Sequence, residues 1–125
     1  MKAIAFKRAL PLALALLVAV PAVKAAESPF EGQLVRLAEI LGSLHYLRNL
    51  CGEEGQDWRN RMEQLLEAEN PNDARRARLV ASFNRGYRSF ETSYGACTES
   101  AIAAINRYVR EGEALTRDTA TRFGN

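Results

Sequence analysis

Leu79-Val80-Ala81-Ser82-Phe83-Asn84-Arg85-Gly86-Tyr87-Arg88-Ser89-Phe90-Glu91-Thr92-Ser93-Tyr94 is the stretch that decides the fold. Wound at 3.6 residues per turn, its Leu79, Val80, Phe83, Tyr87, Phe90 and Tyr94 fall within an arc of about 100°. Such a stripe needs cover, so the stretch predicts an amphipathic helix packed on partners. Upstream, Asn70-Pro71-Asn72-Asp73 both ends one helix and starts this one, because proline is tolerated in a first turn and nowhere deeper. Gly95 interrupts the pattern downstream.

Further upstream, Asp57 is placed to cap a second helix in which Trp58, Met62, Leu65 and Leu66 share a face as far as about Glu69. Before it, Ser28-Pro29-Phe30-Glu31 reads as a helix start, with Ser28 as cap, Pro29 in the first turn and Glu31 as the carboxylate of a capping box. In that first helix Phe30, Leu34, Leu37, Leu41, Leu44 and His45 line one stripe, with Ile40, Leu47 and Cys51 on its flank. The helix is expected to stop near Leu50, before Gly52. Val35, Tyr46 and Leu50 lie on its other side, which predicts contact from two directions. Downstream, Thr98 and Glu99 open a fourth helix whose stripe runs through Ala101, Ile102, Ile105, Tyr108, Val109, Gly112, Leu115 and Phe123. No stretch alternates with the period of a strand. Four helices with short connections predict an all-α, up-down-up-down four-helix bundle.

The chain has 125 residues, enough for one domain, and its beginning reads as a leader. Lys2, Lys7 and Arg8 precede the apolar run Ala9–Val20, and Val23-Lys24-Ala25 suits cleavage after Ala25. The expected division is a secretory signal over 1–25 and a helical domain over 26–125. A retained anchor is the alternative, but the apolar run is short of the roughly 20 residues that span a bilayer. No transmembrane segment is expected after processing. Cleavage removes every lysine and Arg8, leaving thirteen arginines against fifteen acids and turning the whole chain's net charge of +2 into −2. Nucleic-acid binding by the mature chain therefore gets no support from charge. Cys51 and Cys97, alone in an exported chain, are most simply read as a disulfide. In the expected bundle the end of the first helix and the start of the fourth share one pole, where these two cysteines would have to meet.

Few residues carry chemistry. His45 is the only histidine and lies on an apolar stripe, where a hydrogen-bonded core imidazole is the ordinary reading. Pairing it with Met62 as haem ligands is the sharper one, and the chain has no C-x-x-C-H attachment motif. Arg48 at the centre of the first stripe and Arg76 in the arc of the third helix each call for a carboxylate, with Glu53, Glu69 and Glu99 as candidates, or form a pocket for an anion. His45, Tyr46, Arg48, Trp58 and Arg76 are thus a candidate polar pocket. Arg75, Arg78, Arg85 and Arg88 are expected on the outer side of the third helix as a candidate surface for anionic groups, unless it is simply a solvated face. No catalytic residue and no metal site is expected: there is no G-x-S-x-G motif, and Glu53-Glu54-Gly55-Gln56-Asp57 lacks EF-hand spacing.

Leu44-His45-Tyr46-Leu47-Arg48-Asn49-Leu50-Cys51, then Trp58-Arg59 and Met62, then Phe83-Asn84-Arg85-Gly86-Tyr87-Arg88 and Tyr94 through Cys97-Thr98, resemble a family of small exported alphaproteobacterial proteins of unknown function. The resemblance covers most of the mature chain. It implies a Gram-negative periplasmic location and a disulfide between two well-separated cysteines, and it supplies no activity or substrate. Together these readings lead to the expectation of a periplasmic, non-enzymatic helical protein without a cofactor that binds another envelope protein or an anionic envelope component. An envelope enzyme acting on a glycan or peptide is the second reading. A carrier of haem or another small ligand is the third.

Overall fold

The structure, a computed structural model, describes residues 29–123, with side chains described as far as Thr119. The leader over 1–25 and the Ser28 cap lie outside the described residues. Four helices follow in order: α1 (Glu31–Leu50), α2 (Asp57–Glu69), α3 (Asp73–Glu91) and α4 (Glu99–Phe123). No strand occurs among the described residues.

These helices form the expected bundle, and α1 is its hub. It packs against each of the other three, whereas α2 meets α3 only lightly. Enclosure shows in its burial: every residue from Ile40 to Leu44 is buried, which a helix with one covered face cannot achieve. One side of α1 gives Leu34, Ala38 and Leu41 to a core shared with Met62, Leu66, Leu79 and Phe83 of α2 and α3. The other gives Ile40, Leu44 and Leu47 to a second core with Ala101, Ala104 and Ile105 of α4. Ile102, expected on the α4 stripe, is instead 49% exposed. It sits one residue beyond the narrow seam that Ala101, Ala104 and Ile105 press onto α1.

Glycine permits the closest of these contacts. A Cβ built on Gly42 would stand 1.9 Å from the carbonyl oxygen of Phe83, and one on Gly86 would stand 2.0 Å from that of Glu39. The two backbones therefore cross where neither carries a side chain, and the small buried Ser43 and Ser82 flank the crossing.

The helix ends follow local chemistry. Asn72 caps α3 by accepting the Arg75 backbone N–H at 2.9 Å, and Thr98 caps α4 by accepting that of Ala101 at 3.2 Å. Gly52, at φ 96°, takes the left-handed conformation just past α1. Asp57 proves to be the first residue of α2 rather than its cap, which is Gln56. Helix α3 ends at Glu91, short of Tyr94. There the Thr92 and Ser93 hydroxyls donate to the carbonyls of Arg88 and Ser89, and the Tyr46 hydroxyl donates to the Tyr94 carbonyl across the bundle. Cys51 and Cys97 form the disulfide, Cα to Cα 5.0 Å, and so tie the end of α1 to the start of α4. The opposite end of that pair is held by Arg36, whose Nε and NH2 donate to the two carboxylate oxygens of Glu111 at 2.8 and 2.9 Å. This fork holds the Glu111 carboxyl below the usual range, chiefly through the Arg36 hydrogen bonds.

Candidate functional site

Because α2 and α4 both lean on α1 without meeting each other, a groove of about 640 Å³ remains between them. Its floor is an i, i+3, i+4, i+7 row on α1: Leu37, Ile40, Leu41 and Leu44. One end is made by Arg48, Glu53, Trp58 and Arg61. The other is made by Gly112, Glu113, Thr116 and Arg117 of α4, which lie beside the first half of α1 because Glu111 meets Arg36 and Gln33 donates to Asp118 at 3.0 Å. From Leu37 to Arg48 the groove runs about 16 Å along α1 at 1.5 Å per residue.

The Arg48 end is electrostatically unusual. Arg48 NH1 meets Glu53 Oε2 at 3.2 Å, so of Glu53, Glu69 and Glu99 it is Glu53 that this arginine takes. Two guanidinium groups lie over the Trp58 ring, Arg61 at 4.9 Å and Arg48 at 5.9 Å from its centre. Yet two N–H donors there, Arg48 Nε and Trp58 Nε1, are shielded from water and have no acceptor. A buried donor without an acceptor is costly, and such groups in a native fold call for a reason.

The other expected pocket members stand elsewhere. His45 and Tyr46 point to the α3 side of the hub, where the Tyr87 ring lies 5.6 Å from His45 and 5.3 Å, edge-on, from Tyr46. Arg76 is exposed and does not line the groove, a correction to its place in the apolar arc. The pocket read from sequence is thus two sites: Arg48 and Trp58 line the groove, and His45 and Tyr46 pack on α3.

The arginine face is also redrawn. Arg75 is not on the outside but turns in, donating from Nε to Glu31 Oε2 at 2.8 Å and from NH2 to Glu69 Oε2 at 3.0 Å. Helix α1 begins at Glu31 itself, with Phe30 as its cap and no side-chain cap hydrogen bond, so Glu31 does not stand at a capping-box position. Arg78, Arg85 and Arg88 are exposed along α3, and the carboxylate approaching Arg85 is Glu39 of α1, at 3.6 Å. Sequence periodicity missed this exchange because Arg75 and Arg76 are neighbours near the first turn, where a long side chain chooses its direction from what lies in reach. The signal available was Glu31 at the start of the facing helix.

Two predictions arise from these contacts. Replacing Arg75 with methionine leaves the 8%-exposed Glu31 without its cation and is expected to cost about 2–3 kcal/mol in urea unfolding, reduced in the Arg75→Met, Glu31→Met pair. Equal costs in the single and double variants would contradict it. His45 is held below its ordinary value of 6.5, first by burial and then by Arg59. A base with a lowered folded pKa contributes stability that is full above 6.5 and is lost as pH falls from 6.5 through the lowered value. His45→Gln should flatten that part of the stability curve, as read by thermal melts stepped through pH 7 to 5; an unchanged slope would contradict it.

No group of three or more His, Cys, Asp or Glu among the described residues could hold a metal ion, and Met62 is packed in the α1–α2–α3 core. None of the described helices is long and apolar enough to cross a membrane.

Fold and groove together define a small all-α protein, closed by one disulfide, with an elongated cleft beside its central helix. Residues 29–123 match the model of the family described as Protein of unknown function (DUF2385), and the chain belongs to that family. No curated protein matches it, and no solved structure does.

Proposed function

We propose that this protein is an exported, periplasmic, non-enzymatic binding module that engages another component of the cell envelope through the α1–α2–α4 groove. The observation that carries the reading is the pair of acceptor-less donors, Arg48 Nε and Trp58 Nε1, at the end of a groove of ligand-binding size. Export is supported by the charged, apolar and small-residue order of the leader and by the Cys51–Cys97 disulfide, which belongs to an oxidising compartment. Binding rather than catalysis is supported by the groove's lining. It combines aliphatic and aromatic side chains with three arginines, Thr116 and two glutamates, one of which, Glu53, is already held by Arg48.

The exposed arginines of α3 are the rival surface, and the two are separable. Thr116 is exposed on the groove wall, so Thr116→Phe fills the groove without entering either core. Crosslinking in intact cells should lose the protein's partner in Thr116→Phe and keep it when Arg78, Arg85 and Arg88 are changed to glutamate. The reverse pattern would move the site to the arginine face.

A further inference from the structure

The chemistry of the groove restricts what can lie in it. The floor is aliphatic for about 10 Å, from Leu37 to Leu44, and an extended peptide laid there would bring an amide donor and acceptor with each residue that Leu37, Ile40, Leu41 and Leu44 cannot answer. A methylene chain brings neither. Three arginines line the groove against two glutamates; with Arg48 and Glu53 paired to each other, Arg61 and Arg117 remain against Glu113. At the Trp58 end, two guanidinium groups lie over the indole ring, and Arg48 Nε and Trp58 Nε1 lack an acceptor.

Granting that the groove is the contact site, the geometry points to a single-chain carboxylate amphiphile of the fatty-acid kind as its ligand. The carboxylate sits among Arg48, Trp58 and Arg61, and the chain lies along Leu44, Leu41, Ile40 and Leu37 toward Gly112 and Thr116. A turn of the Arg48 and Trp58 side chains brings their N–H groups to the carboxylate, which accepts from them and supplies the missing hydrogen bonds. Arg61, exposed and stacked on the indole, closes the head-group end from the solvent side. No covalent step is involved.

Trp58 is the chain's only tryptophan, so its emission reports the groove directly. The oxidised protein should be titrated with laurate and, as a neutral chain of the same length, with dodecanol. Laurate is expected to shift the Trp58 emission saturably and to bind at least about tenfold more tightly than dodecanol, as a charge-assisted contact requires. Arg61→Gln should weaken laurate by about the same factor and leave dodecanol unchanged, while Thr116→Phe should abolish both. Equal binding of laurate and dodecanol, or an Arg61→Gln variant indifferent to the head group, would overturn the carboxylate assignment. Binding of an apolar peptide with no response to laurate would overturn the ligand class and leave the groove as the contact site. If no probe binds and Thr116→Phe also keeps its cellular crosslinks, the groove itself is the wrong site.

Discussion

Gly86→Ala is expected to leave the protein without a cooperative unfolding transition, and Gly42→Ala to do the same. The added methyl would stand 2.0 Å from the Glu39 carbonyl oxygen in one case and 1.9 Å from that of Phe83 in the other. Both obstacles are backbone, so relief requires α1 and α3 to move apart along their whole contact. That would undo the packing of Leu79 and Phe83, both buried, against Leu34, Ala38 and Leu41. Overpacking a well-filled core ordinarily costs about 1–3 kcal/mol, and here the helices that separate carry one of the two cores. Gly112→Ala is the control: its Cβ would meet only Ile40 and Leu37 side chains, at 3.5 and 3.9 Å, and alanine is the better helix former. Far-ultraviolet melting of the three variants decides it. A Gly86→Ala melt as steep and as high as that of Gly112→Ala would mean that the close crossing is not a feature of the folded protein.

The second large effect is on the Cys51–Cys97 bond. Opening its 46-residue separation to a free chain costs about 4 kcal/mol on the chain-entropy scale. That is a large part of the roughly 5–15 kcal/mol that holds a domain of this size together. Its position adds to this, because α4 is held chiefly by α1, and the disulfide fixes the end opposite the Arg36–Glu111 fork. Reduction, or Cys51→Ser with Cys97→Ser, is therefore expected to lower the urea midpoint steeply and to expose α4 to exchange before α2 and α3. Protein from the envelope should show no free thiol by mass with and without reductant. Two free thiols, or a midpoint unmoved by reduction, would contradict the expectation.

Much of this architecture is legible from periodicity and breakers. Pro71 separates α2 from α3, Asp57–Glu69 stands where the Trp58, Met62 and Leu66 face placed it, and the two cysteines meet at the pole that the bundle topology required. The centrality of α1 was legible only in outline. Val35, Tyr46 and Leu50 hinted at a second covered side, but a stripe drawn for one face does not foresee a run of five consecutive buried residues. Gly42 and Gly86 carried a readable signal, since a mid-helix glycine is unfavourable by about 1 kcal/mol unless close approach requires it. The α3 end was placed too far along because hydroxyl groups at Thr92 and Ser93 compete for backbone carbonyls, a local effect that a count of apolar residues ignores.

The site was harder to read, for a geometric reason. The positions of Arg48 and Trp58 in their helices mark them as unusual, and they do line one cleft. His45 and Tyr46, three and two residues before Arg48, point about a sixth of a turn and nearly half a turn away and meet α3 instead. The far wall of the groove, Thr116 and Arg117, carries no apolar or motif signal and is brought to α1 by the pairings of Gln33 with Asp118 and Arg36 with Glu111. Those pairings join residues more than seventy positions apart, beyond the reach of any local pattern.

The most direct test is to place a photo-crosslinking side chain in turn at Thr116, in the groove, and at Ala81, on the exposed side of α3, and irradiate intact cells. If the groove is where the protein meets its envelope component, adducts form from position 116 and not from position 81. Adducts from position 81 alone would place the contact on the arginine-bearing side of α3 and contradict the groove as the functional site.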